Sequence, residues 1–263
     1  QFFAISYALK NLYQGMLFFL LPFYWNASTI DAPNVAFVVL LGTCAILSTL
    51  DLVFDHVLLR FRWATAAFHA LTLFSCLNLL VPALLPDTRS VTALMFAGAM
   101  TVVAFISFHA AGGKAIRGPM LAVALIAPAF GAAAAWFIRQ VVPPVQMHVV
   151  SAAVGPSVLA DGRLAIEAKR LHVSVVRQLI AVTDIVTPGG HGDRIHHVWR
   201  KDGLEVMRMP DETTKGDGPR GTIRLRSALS TRTLPTALAG QWTVDVETED
   251  GQLVGRTHFE VIQ

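Results

Sequence analysis

Five times between residues 2 and 139 the chain runs for about 20 residues with almost no charge, and nothing else constrains its folding as much. A helix rising about 1.5 Å per residue needs that length to cross roughly 30 Å of hydrocarbon. The runs fall at about 2–24, 34–58, 64–85, 91–110 and 118–139. Short breaks carrying turn chemistry separate them: WNASTIDAPN, RFRW, PDTRS and AGGKAIRGP. Loops this short force neighbouring helices to run antiparallel. The expected first unit is therefore a membrane α-helical bundle of about five transmembrane helices over residues 1–142. The chain opens on Gln1 rather than Met and is apolar from its second residue, so further residues are expected to precede it.

At VVPPVQ the pattern changes. Continuous apolar runs give way to short alternating ones, RIHHVWR, LEVMRM, TIRLRSAL, QWTVDVET and LVGRTHFEVI among them. ADG, TPGGHGD, KDG, KGDGP and EDG supply turns between them. Residues 143–263 are thus expected to form an all-β, immunoglobulin-like sandwich. RLAIEAK and HVSVVRQLIAVTDI are expected strands as well. Alternation puts Ile195, His197 and Trp199 on one strand face, and Trp242, Val244 and Val246 on another, with both tryptophans as core anchors.

Charge divides the chain in the same place. Only 11 charged residues lie in 1–142 and 28 in 143–263, the latter with 14 of each sign. A balanced polar half lacks the basic excess of a nucleic-acid-binding surface. Loop charges orient the bundle: Arg60, Arg62, Lys114 and Arg117 lie on one side, against Arg89 alone on the other. The positive-inside rule puts the four-residue side in the cytoplasm and everything after Arg139 outside. The expected location is a bacterial inner membrane, multi-pass, with the C-terminal domain periplasmic. Cys44 and Cys76 both lie in apolar runs, so the polar half folds without disulfides.

Ionisable groups inside hydrocarbon are costly and seek partners. Tyr7, Lys10, Asn11 and Gln14 share a helix face in the first run; Cys44, Ser48, Asp51 and Asp55 do so in the second. Lys10 and Asp51 lie roughly 21 and 25 Å from the outer ends of their helices, which predicts an intramembrane ion pair. His56, His69 and His109 fall in the cytoplasmic leaflet near Asp55. They are read as interfacial residues, against two alternatives: a transition-metal or haem site, and a proton relay. The small-residue stripe Ala127, Gly131 and Ala135 predicts a close helix contact.

HGDRIHH brings His191, Asp193, His196 and His197 together in sequence, but adjacent histidines on a strand face opposite ways. Arg220, Arg224 and Arg226 form a strip suited to a protein partner or an envelope glycan. No nucleophile elbow, phosphate loop, dinucleotide fingerprint or zinc-protease motif is present, so no catalytic residue is assigned.

AVTDIVTPGGHGDRIHHVWRKDG, GPRGTIRLRSALS and GQWTVDVETEDGQLVGRTHFEV carry a resemblance. Together they resemble a bacterial domain family of unknown function, extracytoplasmic and β-rich. Its pattern reads here as His197-Val198-Trp199, Arg224 to Ser227, and Gly240-Gln241-Trp242. The front half, with NLYQGMLFFLLPFYW, resembles the multi-span region joined to that domain. The resemblance brings no activity. The expected function is a non-enzymatic membrane protein presenting a periplasmic sandwich for binding or scaffolding, as an accessory subunit of a complex or a homo-oligomer. The alternatives are a transporter or channel-like subunit using Lys10, Asp51 and Asp55, and a metal- or haem-binding redox subunit. No nucleic acid is an expected partner.

Overall fold

A computed structural model describes residues 2–50, 60–110, 118–160, 162–167, 169–187, 193–210, 212–213, 221–230 and 234–263. For 2–10, 62, 108–110, 118–121, 123 and 212–213 it describes the backbone alone. Among these residues five α-helices come first: α1 (Phe2–Asn26), α2 (Val35–Thr49), α3 (Arg62–Leu84), α4 (Ser90–Ala110) and α5 (Gly118–Phe137). They pack α2–α1–α3–α4–α5 around a core that includes Leu17, Leu20, Phe37, Leu41, Phe74, Leu94 and Ala135. Tyr24, wholly buried, donates to the Ser75 carbonyl (3.0 Å) and accepts from Asn78 Nδ2 (3.0 Å), so its hydroxyl is not stranded among apolar groups.

Helices α4 and α5 approach closely through glycine. A Cβ built on Gly131 would stand 2.5 Å from the Gly98 carbonyl oxygen, and one on Gly98 would meet Gly131 O at 2.4 Å. Backbones this near leave no room for any side chain.

The expectation of about five transmembrane helices is corrected. Among the described residues two helical stretches are long and apolar enough to cross a bilayer, Trp63–Leu84 and Ser90–Ser107. Val35–Thr49 and Ala124–Phe137 are apolar but shorter. At about 1.5 Å per residue Val35–Thr49 reaches roughly 22 Å, short of roughly 30 Å of hydrocarbon. Helix α2 stops at Thr49 because Leu50 adopts an extended backbone (φ −81°, ψ 107°), although apolar sequence continues past it. An apolar run records where greasy residues lie. It does not record whether the backbone stays helical through them.

The strands follow: β1 (His148–Gly155), β2 (Arg170–His172), β3 (Ile180–Val186), β4 (Arg194–Lys201), β5 (Leu204–Arg208), β6 (Glu212–Thr213), β7 (Thr222–Ala228), β8 (Gly240–Thr248) and β9 (Leu253–Ile262). They build a three-stranded sheet, β1-β3-β7, and a six-stranded sheet, β2-β9-β8-β4-β5, with β6 beside β4. Val154, Ala181 and Leu229 from one side meet Trp199, Trp242, Val244 and Phe259 from the other. Trp242 stacks on Phe259 at 6.0 Å, and Trp199 meets the same ring edge-on at 6.2 Å.

This architecture corrects the immunoglobulin-like expectation. The three-plus-six division and the short β2, parallel to β9, differ from a four-plus-three antiparallel sandwich. Two expected strands change as well. Among the described residues of that first segment, 163–167 and 169, the β pairing is an isolated bridge of Leu164 to Val158, and Val173–Gln178 winds into a 3₁₀ turn. The His172 imidazole accepts from Ser174 N (3.3 Å), offering the backbone a local partner that competes with strand pairing.

Candidate functional site

The α1–α2, α3–α4 and α5–β1 connections all lie at one end of the bundle, and there they meet the β-region. Asp193, just ahead of β4, accepts from Ser90 N (3.1 and 3.2 Å to its two oxygens) and from Ser90 Oγ (2.5 Å). The first backbone N–H groups of a helix have no partner within it, so a carboxylate from another part of the chain satisfies α4 here. Burial pushes the Asp193 carboxyl above the usual carboxylate range. The Ser90 bonds oppose that shift, and the nearby Asp250 and Glu249 charges add to it.

Further latches surround this cap. Arg89 Nη1 lies 3.0 Å from Glu249 Oε1. Arg139 donates to the Asp250 carbonyl (2.8 Å) while stacking on Trp136, and Gln252 donates to the Val142 carbonyl (2.9 Å). Asn34 donates to the Leu253 carbonyl (3.3 Å).

Beside the junction, the outer face of the six-stranded sheet carries a charged lattice. Inward-facing Trp242, Val244 and Val246 leave Thr243, Asp245 and Glu247 facing out. Register sets Asp245 opposite Arg256, Thr243 opposite both His258 and Arg200, and Glu247 opposite His196. Arg256 holds Asp245 through Nε (2.6 Å) and Nη2 (2.7 Å), and Arg200 bonds Asp245 from the other side. Arg200 also reaches Glu247 (2.7 Å). Arg208 donates to His196 Nε2 (2.6 Å), approaches Glu247 (3.4 Å) and pairs with Glu205 (2.8 Å). Asp245 is wholly buried, a position no carboxylate holds cheaply without such partners. A cleft of about 660 Å³ opens over this lattice, closed on the helical side by Pro33 and Gln140.

The residues singled out in sequence fare unequally. Asp51, Asp55, His56, His191 and Arg220 lie outside the described residues, as do the side chains of Lys10 and His109. His69 is described, with Nδ1 2.8 Å from the Tyr13 hydroxyl. Arg224 and Arg226 share the exposed face of β7, where Arg224 grips Asp184 through Nε (2.7 Å) and Nη2 (3.1 Å). That contact holds the Asp184 carboxyl below its usual range. His196 and His197 face opposite ways, toward Arg208 and into the core. Among the described residues no cluster of three or more His, Cys, Asp or Glu side chains suits a metal ion.

The cleft went unnoticed in the sequence, although its signal was there. Acidic residues alternate with the apolar positions of β8, and arginines fall on the matching face of β4 and β9. Only the register reveals that they meet.

The pattern residues of the C-terminal half assemble inside the β-region. Trp199 Nε1 donates to Ser227 Oγ (3.0 Å), Ser227 Oγ lies 2.7 Å from His197 Nδ1, and His197 Nε2 lies 2.9 Å from Thr183 Oγ1. A neutral imidazole completes this chain with one nitrogen donating and one accepting. Burial, and secondarily the charge of His196, push the His197 pKa down to about 3.

A family model described as a family of unknown function, DUF5924, matches residues 3–179, about two thirds of the chain. The chain belongs to the DUF5924 family. A second model, a protein of unknown function, DUF2914, matches residues 192–261. The resemblance drawn from the sequence holds at that level: two segments of unknown function, in this order.

No curated protein matches the chain. Among solved structures, the Pseudomonas fluorescens alkylpurine DNA glycosylase AlkC bound to DNA containing an abasic site analog aligns over 78% of this chain at 12% identity. The chain spans about half of that protein (54%), and a TM-score of 0.30 carries no argument about fold or function.

The DUF5924 match runs beyond the helices through β1 and β2, and the DUF2914 match begins just before β4. The two segments interlock. β2 of the first pairs with β9 of the second, and the three-stranded sheet takes β1 from one and β7 from the other.

Proposed function

We propose that this DUF5924 protein is a non-enzymatic, membrane-seated binding or scaffolding protein. Its helical part lies in a bacterial inner membrane, anchored by the two helices of crossing length, α3 and α4. Its β-region is held rigidly at the periplasmic end and serves a protein partner, a further copy of the chain or an envelope ligand.

The observation that carries this reading is the outer surface of the bundle. Val39 and Ile46 of α2 and Leu125, Phe130 and Phe137 of α5 are all more than half exposed. Large apolar side chains left exposed in this number are unfavourable in water and natural in lipid. Polar latches, by contrast, concentrate at the end that meets the β-region.

Alkaline carbonate extraction and a C-terminal alkaline phosphatase fusion test the reading. Retention in the membrane pellet with an active fusion is expected. Release into the carbonate supernatant, or an inactive fusion, would overturn the membrane seating or the orientation.

A further inference from the structure

We propose that the cleft beside the domain junction binds a neutral, polyhydroxylated molecule of saccharide size. This inference rests on the binding role proposed above but not on the bilayer.

Charge balance selects the ligand class. On the outer sheet face Arg200, Arg208 and Arg256 are matched by Glu205, Asp245 and Glu247, each linked by at least one hydrogen bond within the set. An anion entering the cleft would meet Glu247 and Asp202 without any guanidinium left uncommitted to a carboxylate. A cation would face Arg200 and Arg256. Either pays desolvation with no matching counter-charge.

A hydroxyl group, which donates and accepts at once, finds both kinds of partner on the same wall. Arg256 spends Nε and Nη2 on Asp245 and keeps Nη1 for a ligand. Thr243 offers a hydroxyl, and the Gln140 and Gln241 side-chain amides each offer a donor and an acceptor. His258, engaged through Nε2 with the Asp31 carbonyl (3.3 Å), has Nδ1 left over.

The site is built rather than incidental. Its floor is a lattice of mutually held charges around the fully buried Asp245, so the donors stand in place before a ligand arrives. Its walls come from the β-region and from the helical connections, and its volume of about 660 Å³ lies in the range of small-molecule sites, which favour domain interfaces.

Calorimetric titration of the full chain in detergent with glucose, N-acetylglucosamine, trehalose and maltose, up to about 50 mM each, tests the proposal. Inorganic phosphate and phosphoethanolamine form the charged arms. At least one saccharide is expected to bind, with affinity unchanged by high salt and reduced about tenfold in Gln241→Ala and in Gln140→Ala. Gln140→Trp, which narrows the mouth without touching the charged floor, is expected to abolish binding. The proposal is overturned if none of the four sugars binds, if binding survives Gln140→Trp, or if only the charged probes bind and salt displaces them. Carbonate extraction reports on the membrane seating independently, so a failed cleft and a failed anchor give different results.

Discussion

His197 gives the sharpest test of the β-region, because its burial makes stability depend on pH in a defined direction. An imidazole of ordinary pKa 6.5 is held in this fold at about 3. Between those values the unfolded chain binds a proton that the folded chain refuses, so the contribution is fully present above pH 6.5. It is lost progressively as pH falls toward 3. One pKa unit corresponds to about 1.4 kcal/mol, so moving from pH 7.5 to 5 removes about 2 kcal/mol. Hydrogen exchange of the β4 and β8 segments at the two pH values reads this locally, apart from the tryptophans of the helical part. Asp193, whose pKa is raised, acts with the opposite sign: its protonation favours the folded state as pH falls toward the usual carboxylate range. His197→Gln, which cannot titrate, separates the two. The variant is expected to lose the acid-dependent weakening while keeping the Asp193 contribution. An identical pH slope in wild type and variant would refute the reasoning. So would imidazole nitrogen shifts that titrate near 6.5 in the folded wild type, a readout that does not depend on the variant folding.

Three other expectations follow from the packing. Asp193→Ala removes the external cap of α4 and should cost about 1–2 kcal/mol at the junction, seen as faster exchange over residues 90–94; unchanged protection would show that the cap contributes nothing. Gly131→Ala forces a methyl against the Gly98 carbonyl and should destabilise the bundle by about 1–3 kcal/mol, measured as a lower Tm in detergent. Trp242→Ala empties the stack on Phe259 and should cost about 3–5 kcal/mol of β-region stability by urea unfolding, against less than about 1 kcal/mol for Arg224→Ala at its partly exposed pair.

The helices were legible because each keeps a long apolar run bounded by turn residues, and apart from the end of α2 their starts and stops lie close to the runs. Their number as membrane spans was not legible. Thr49 ends α2 while apolar residues continue, and apolarity alone cannot report a backbone that turns extended. The alternation of β4 and β8 announced Trp199 and Trp242 as core residues. It could not announce that Ser227, 28 positions after Trp199, would complete the His197 hydrogen bonds.

Residue order by itself therefore determined the local periods: apolar runs for the helical part, alternation for the strands, and the inward tryptophans. Those properties depend on neighbours one to four positions apart. Tertiary structure alone decided the sheet orders, the capping of α4 by a residue 103 positions away, and the meeting of Arg200, Asp245 and Arg256 beneath the cleft. Those contacts depend on strand register and on how the helical connections dock against the sheet, and register is settled by the packing of the whole β-region rather than by any segment alone.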